Sequence, residues 1–138
     1  MASFNDTIIE QFRAQDGVLG GHWDGKETIL LHTPGRKTGK VTVNPLVAAP
    51  YEGSYILCGS AGGAPSDPVW VANLEELDGP VTVEHLTDTV KAEHRVFRPG
   101  RDAEWEQLYA VWRAYWPDAA DYETKTDRKF PLAVVTLP

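Results

Sequence analysis

The sequence predicts an α+β fold of about six mainly antiparallel strands and three or more helices, and three patterns predict it. Apolar and β-branched runs such as Thr28-Ile29-Leu30-Leu31, Val41-Thr42-Val43 and Ser54-Tyr55-Ile56-Leu57-Cys58 follow one another with turn residues between them. Helical spacing of apolar residues occurs at Phe4-Ile8-Phe12, Trp70-Leu74-Leu77 and Trp105-Leu108-Trp112. Neither a repeat nor a linker divides the chain, so residues 1–138 read as one domain in which 1–26 form a helical and loop N-terminal extension.

In order, Ser3 and Asp6 have capping-box spacing ahead of a short amphipathic helix. Its polar face mixes acids with bases, which favours packing on the domain over membrane contact. A glycine-rich connection from Gly17 to Gly25 leads to a first strand at Glu27–Thr33. The second strand, from Val41, carries Asn44-Pro45 in its middle; proline donates nothing to a ladder, so this strand lies at an edge or bends there. Tyr51-Glu52-Gly53 is a turn into Ser54–Cys58, and Gly59 to Pro65 is a loop of small residues. Asp67-Pro68 reads as cap and first residue of a helix through Leu77. That helix puts Asn73 on an apolar face, where an amide must be bonded to backbone or ligand.

A hairpin of Pro80–Leu86 and Thr89–Arg98 follows; a turn at Thr87-Asp88 sets Glu84 opposite Lys91 and His85 opposite Val90. Asp102 reads as the cap of a third helix with an aromatic stripe ending at Pro117. Asp118 to Lys129 is polar, and Phe130–Leu137 is the last strand.

Composition narrows the function. The net charge is −7 and the pI about 5.0, against the extended basic face that nucleic acid requires. One cysteine, Cys58, excludes an internal disulfide framework and suits a reducing compartment; with polar residues near the start and no long apolar run, the expected location is cytoplasmic. All four histidines read as structural, and no metal site is expected. Nucleophile elbow, zinc spacing and dinucleotide fingerprint are all missing, so an enzyme built this way would rely on a bound cofactor.

Against this acidic background, Thr33-Pro34-Gly35-Arg36-Lys37-Thr38-Gly39-Lys40 gathers three cations, and no acid lies between Glu27 and Glu52. Two glycines allow peptide N–H groups to converge, and Arg36, Lys37 and Thr38 add side-chain donors, which makes a cradle for phosphate or carboxylate; a solvated hairpin tip is the plainer alternative. P-loop spacing is absent.

These segments together resemble a known family. Gly35 to Lys40, Asn44-Pro45-Leu46, Ser60-Ala61-Gly62-Gly63, Pro68-Val69-Trp70 with Asn73-Leu74, and Asp121-Tyr122 with Thr126-Asp127-Arg128 and Pro131 resemble the deazaflavin-dependent nitroreductases. These are actinobacterial split β-barrel (FMN-binding-like) oxidoreductases that use coenzyme F420, and the resemblance covers nearly everything after Thr28. It implies an F420H2-dependent reductase passing a hydride to a quinone, an activated alkene or a nitro compound, as a monomer or homodimer. An FMN-dependent oxidoreductase and a non-catalytic carrier of deazaflavin or an apolar ligand are the alternatives.

The resemblance also implies the site. Arg36, Lys37 and Thr38, with Thr42 and Val43, correspond to the family's grip on the cofactor's phosphate and acidic tail. Asn44, Pro45, Leu46 and Val47 with Cys58, Gly59, Ser60 and Ala61 correspond to the wall along the deazaflavin ring, and Val69, Trp70 and Asn73 to the helix completing it. Ser60 and Tyr122 match positions facing the acceptor, where either can hydrogen-bond its oxygen. Thr42 stands where relatives commonly carry a basic residue and Ala61 where several carry lysine, so salt is expected to weaken cofactor binding less. Val47, Trp116 and Ala119 replace tyrosines of the nitroimidazole-reducing members, which turns the expectation toward quinones and cyclic enones.

Overall fold

The computed structural model describes residues 3–138. The N-terminal extension expected over 1–26 therefore includes two residues, Met1 and Ala2, that lie outside the described part. Helix α1 (Phe4–Ala14) begins with the expected capping box, the Ser3 hydroxyl accepting from the Asp6 N–H and the Asp6 carboxylate from the Ser3 N–H. A 3₁₀ turn at Gly21–Trp23 leads into β1 (Thr28–Pro34), β2 (Val41–Val47), β3 (Ala49–Tyr51) and β4 (Ser54–Cys58). Helix α2 (Val69–Glu75), strands β5 (Val81–His85) and β6 (Asp88–Phe97), helices α3 (Trp105–Tyr115) and α4 (Ala119–Tyr122), and β7 (Leu132–Thr136) complete the chain.

All seven strands form one antiparallel sheet in the order β2-β1-β5-β6-β7-β4-β3. The two edge strands, β2 and β3, are consecutive and separated by Ala48 alone. Opposite edges can be that close along the chain only if the sheet curls until they meet, which makes the half-barrel. Ala48 and Ala49 are fully buried at the corner, with the Ala48 N–H bonded to the Glu27 carbonyl at 2.9 Å. Placing β2 at an edge also accommodates Pro45, opposite Leu30, where a central strand would lose a ladder bond.

β1 explains its unbroken apolar run by being covered on both faces. Ile29 and Leu31 enter the barrel core with Leu57, Val83 and Val135, sealed by Trp70, Val71 and Leu74 of α2. Leu30 faces the other way, against Ile8 and Phe12 of α1. A third cluster joins the aromatic stripe of α3, Trp105, Leu108 and Trp112, to Ile56, Phe97 and Leu132. Each fully buried Leu, Ile or Phe contributes roughly 1.5–3 kcal/mol by leaving water.

Three local expectations are corrected. The β5–β6 turn is Leu86-Thr87, with Leu86 at φ 54°, so His85 pairs with Asp88, Glu84 with Thr89 and Thr82 with Lys91. That is a shift of two residues, which leaves every side chain on its expected face. Gly17 is needed here, because a Cβ on it would come within 2.4 Å of the Leu86 Cα. Neither aspartate caps its helix: Asp67 is bonded by Arg98 and Arg128, while Asp102 accepts from the Arg98 N–H and the Arg101 side chain. Cap chemistry lost to arginines, distant in sequence for Asp67 and just upstream for Asp102. The Asp118–Lys129 stretch, read only as polar, contains the short helix α4.

Candidate active site

The largest cleft, about 720 Å³, opens between the start of α1, the 3₁₀ turn, β2, the end of β4, α2 and the α3–α4 corner. That size suits a cofactor-sized ligand. A smaller cleft of about 270 Å³ lies against Tyr51, Gln107 and Leu108, away from every residue considered for chemistry.

One wall of the large cleft was foreseen. Asn44, Pro45, Leu46 and Val47 line it from β2, Cys58, Ser60 and Ala61 from the end of β4, and Trp70 from α2. Gly59 sits behind this wall, packed against Val71 and Pro131, and Val69 is exposed and turned away from the cleft. Burial pushes the Cys58 thiol well above its usual range, against the opposing pull of Arg128 and Ser60, so it is a neutral wall and not a nucleophile.

Asn73 does not line the cleft. Buried on α2, its carboxamide oxygen accepts from the Arg36 N–H at 3.3 Å and from Arg36 Nη1 at 3.4 Å, while Arg36 Nε meets Glu76 at 3.2 Å. The buried amide thus fastens the cationic loop to the helix whose Trp70 forms the wall. The loop closes on itself through Gly35 N–H to Lys40 O at 2.8 Å and Gly39 N–H to Gly35 O at 2.7 Å. Lys37, Thr38 and Lys40 are exposed, and among the described residues neither lysine has a carboxylate partner. Thr42 and Val43 connect loop to wall along β2, paired with Thr33 and His32.

The opposite wall was mostly not foreseen. Phe4, Asn5, His22 and Trp23 reach the cleft from the N-terminal region, Trp112 and Trp116 from α3 and its end, and Tyr122 from α4. Tyr122 accepts from the Trp116 indole N–H at 3.1 Å, which leaves its own O–H to donate. Trp116 packs against Trp23 with ring centroids 5.7 Å apart and the planes tilted by 33°, and meets His22 edge-on at 5.2 Å. The one available signal was the isolated His22-Trp23 pair inside a glycine-rich connection. Tyr122 approaches the Ser60 loop because Gly63 has no side chain; a Cβ there would lie 2.8 Å from the Tyr122 carbonyl oxygen.

Arg128 also went unassigned, although it organises the first wall. Its guanidinium donates to the carbonyls of Gly59 at 3.1 Å, Ser60 at 2.9 Å and Ala64 at 2.9 Å, and to Asp67 at 2.5 Å. The bends of the Gly59–Ala64 loop are therefore fixed by one side chain sixty-odd residues away.

A curled half-barrel with an aromatic-lined cleft, and an exposed cationic loop tied to the helix that supplies Trp70, makes a scaffold suited to a flat ring cofactor with an anionic tail. The residues fit such a group. The cleft has the size, Trp70 and Pro45 give it apolar faces, and the Trp112 indole N–H is buried without a protein partner.

Comparison with known proteins makes the class specific. The family model for F420H(2)-dependent quinone reductase matches residues 6–137, and the chain belongs to this family of oxidoreductases, whose cofactor is coenzyme F420. An F420H(2)-dependent quinone reductase of Mycobacterium tuberculosis is 27% identical over 128 residues, 91% of this chain and 84% of the relative. A solved F420-H2 dependent reductase (FDR-A) superposes with a TM-score of 0.64 at 29% identity, over 78% of this chain and 92% of its own. A second structure, a domain-swapped dimer, gives 0.65 at 27% identity over 94% and 97%. A pyridoxinephosphate oxidase-family protein of Clostridium acetobutylicum, at 12% identity and a TM-score of 0.51, shares the fold alone. The FMN-enzyme and carrier alternatives gain no support from these relatives. No helix among the described residues is long and apolar enough to cross a membrane, and no group of side chains there could hold a metal ion.

Proposed function

We propose that this protein reduces quinones, and secondarily activated alkenes, with F420H2, and that the two walls of the cleft divide the work. When bound, the reduced deazaflavin supplies the hydride. Arg36, Lys37 and Thr38 take the anionic tail, with Thr42 and Val43 passing it along β2. The ring rests on Asn44, Pro45, Leu46 and Val47, against the backbone from Cys58 to Ala61 and against Trp70. Gly59 and Asn73 support this wall from behind, while Val69, next to Trp70 on α2, is exposed outside the cleft lining. Ser60 and Tyr122 orient the acceptor, hydrogen-bonding the oxygen on which negative charge develops.

The observation that carries this reading is the fastening of the cationic loop to α2 through Arg36 and Asn73, which ties two exposed lysines to the helix whose Trp70 lines the aromatic cleft. Such an arrangement suits a ligand with a flat head and a charged tail. Val47 and Trp116 give the cleft apolar surface and Ala119 is fully buried, at three positions where the resemblance puts tyrosines in the nitroimidazole-reducing members, which favours quinones over nitroimidazoles. The same reading takes residues 1–138 as one domain acting in the cytoplasm, as a monomer or homodimer.

The test is titration with F420 and with FMN by fluorescence, then oxidation of F420H2 by menadione and by cyclohexenone. Tight F420 binding with menadione turnover is expected; binding without turnover on any acceptor supports a carrier instead.

A further inference from the structure

We infer that His22, held by Asp118, is the proton donor to the reduced acceptor; this rests on the reductase reading above. Reducing a quinone by hydride leaves a quinol oxyanion, which needs one proton for the reaction to finish. A positioned acid contributes typically 10²–10⁴-fold to such a transfer.

His22 is in the right place. It lines the cleft from the 3₁₀ turn, and its Nε2 lies 2.5 Å from Asp118 Oδ2, contributed by the residue that starts α4. Its ring meets the edge of Trp116, whose indole N–H donates to Tyr122, so the imidazole and the phenol flank one tryptophan in the same wall. With Nε2 committed to the carboxylate, Nδ1 is the nitrogen left for the acceptor, and Asp118 is a positioning residue. The His22 side chain is 65% exposed, so solvent can restore its proton after each turnover.

Other candidates in the wall are less suited. Histidine is the side-chain type that ordinarily exchanges protons between pH 5 and 8. The charged group facing it is Asp118; α3 presents Trp116, and α1 presents uncharged Phe4 and Asn5 to the same cleft. The balance is complete: the hydride and its electron pair come from F420H2, the proton leaves His22 Nδ1 for the acceptor oxygen, and neutral His22 regains one from water.

The experiment compares wild type, His22→Gln, His22→Ala and Asp118→Asn in menadione-dependent oxidation of F420H2 from pH 5.5 to 9, with F420 affinity measured by fluorescence. Expected are a wild-type kcat that depends on pH across this span and a His22→Gln kcat lower by about 10²-fold without that dependence. Equal F420 affinity, partial rescue of His22→Ala by added imidazole, and a smaller loss in Asp118→Asn complete the pattern. Independently of turnover, nitrogen NMR of the cofactor-free protein should find the His22 proton on Nε2, and Asp118→Asn should shift that tautomer balance. If wild type turns over and His22→Gln matches its rate and pH profile, the proton donor is not His22, although the reductase reading stands. If wild type binds no F420, that reading itself fails.

Discussion

The two walls of the cleft are built by different means. The wall proposed for the cofactor is made of short segments continuous in sequence, Asn44–Val47 of β2 and Cys58, Ser60 and Ala61 at the end of β4, all carried by one curled sheet. The wall proposed for the acceptor is assembled from α1, a single 3₁₀ turn, the end of α3 and the four-residue α4, none of which is a strand of the sheet. A sheet edge fixes position through backbone bonds that side-chain substitution leaves intact. Packed aromatics fix position only as long as each neighbour is present. The difference implies that substitutions should disturb the packed aromatic wall more readily than the wall carried by the sheet.

The largest effect expected from breaking the comparison comes from Arg128. Arg128→Ala leaves the carbonyls of Gly59, Ser60 and Ala64 and the Asp67 carboxylate without their shared donor. A loss of about 2–4 kcal/mol in urea unfolding is expected, with weaker F420 binding, because one charge-assisted network is removed from the rigid wall. Arg128→Lys should recover only part of either, since an ammonium cannot fork to four acceptors in that geometry.

On the other wall, Tyr122→Phe removes one donor without touching the cofactor side. Turnover with menadione should fall about 10-fold, the equivalent of one hydrogen bond to a developing charge, while the F420 dissociation constant stays the same. An equal loss in both would mean that the walls do not act separately.

The smallest effect concerns how the N-terminal part of the acceptor wall is held. Arg13 of α1 bonds Glu84 of β5 at 2.7 and 3.1 Å, and His32 meets the same carboxylate at 2.7 Å. Arg13 in the first place, and then His32, hold the Glu84 carboxyl below its usual range. Its folded value is depressed, so the stabilisation is present above the unfolded carboxylate range and is lost as pH falls through the folded value. At pH 7, Glu84→Gln should cost about 0.5–1 kcal/mol, because Arg13 is half exposed and the pair is screened. The gap between the two melting temperatures should close below about pH 4.

Legibility in the sequence followed the same division. Strands β1, β2 and β4, the edge placement of the Pro45 strand and the glycine-hinged loop could be read because each depends on residues adjacent in the chain. The Arg36 loop was legible for its charge, whereas its attachment was not, since Asn73 announced only that some partner existed. His22 and Arg128 were opaque for a physical reason: their partners, Asp118 and the Gly59–Ala64 carbonyls, arrive by tertiary packing over long separations. The two failed caps teach the converse, because Asp67 and Asp102 carried the right local signal, yet Asp67 was taken by the distant Arg98 and Arg128 and Asp102 by its own neighbours Arg98 and Arg101.

The central claim is that cations at the β1–β2 loop hold the tail of coenzyme F420 so that its ring lies on the β2 wall. Fluorescence titration of the Arg36→Glu/Lys37→Glu double variant with F420, alongside a melting curve, tests it most directly. The account predicts an F420 dissociation constant raised by about 100-fold, equivalent to about 2.7 kcal/mol, in a protein that still folds. A folded double variant that binds F420 within about twofold of wild type would contradict it, and the coenzyme would have to be held elsewhere.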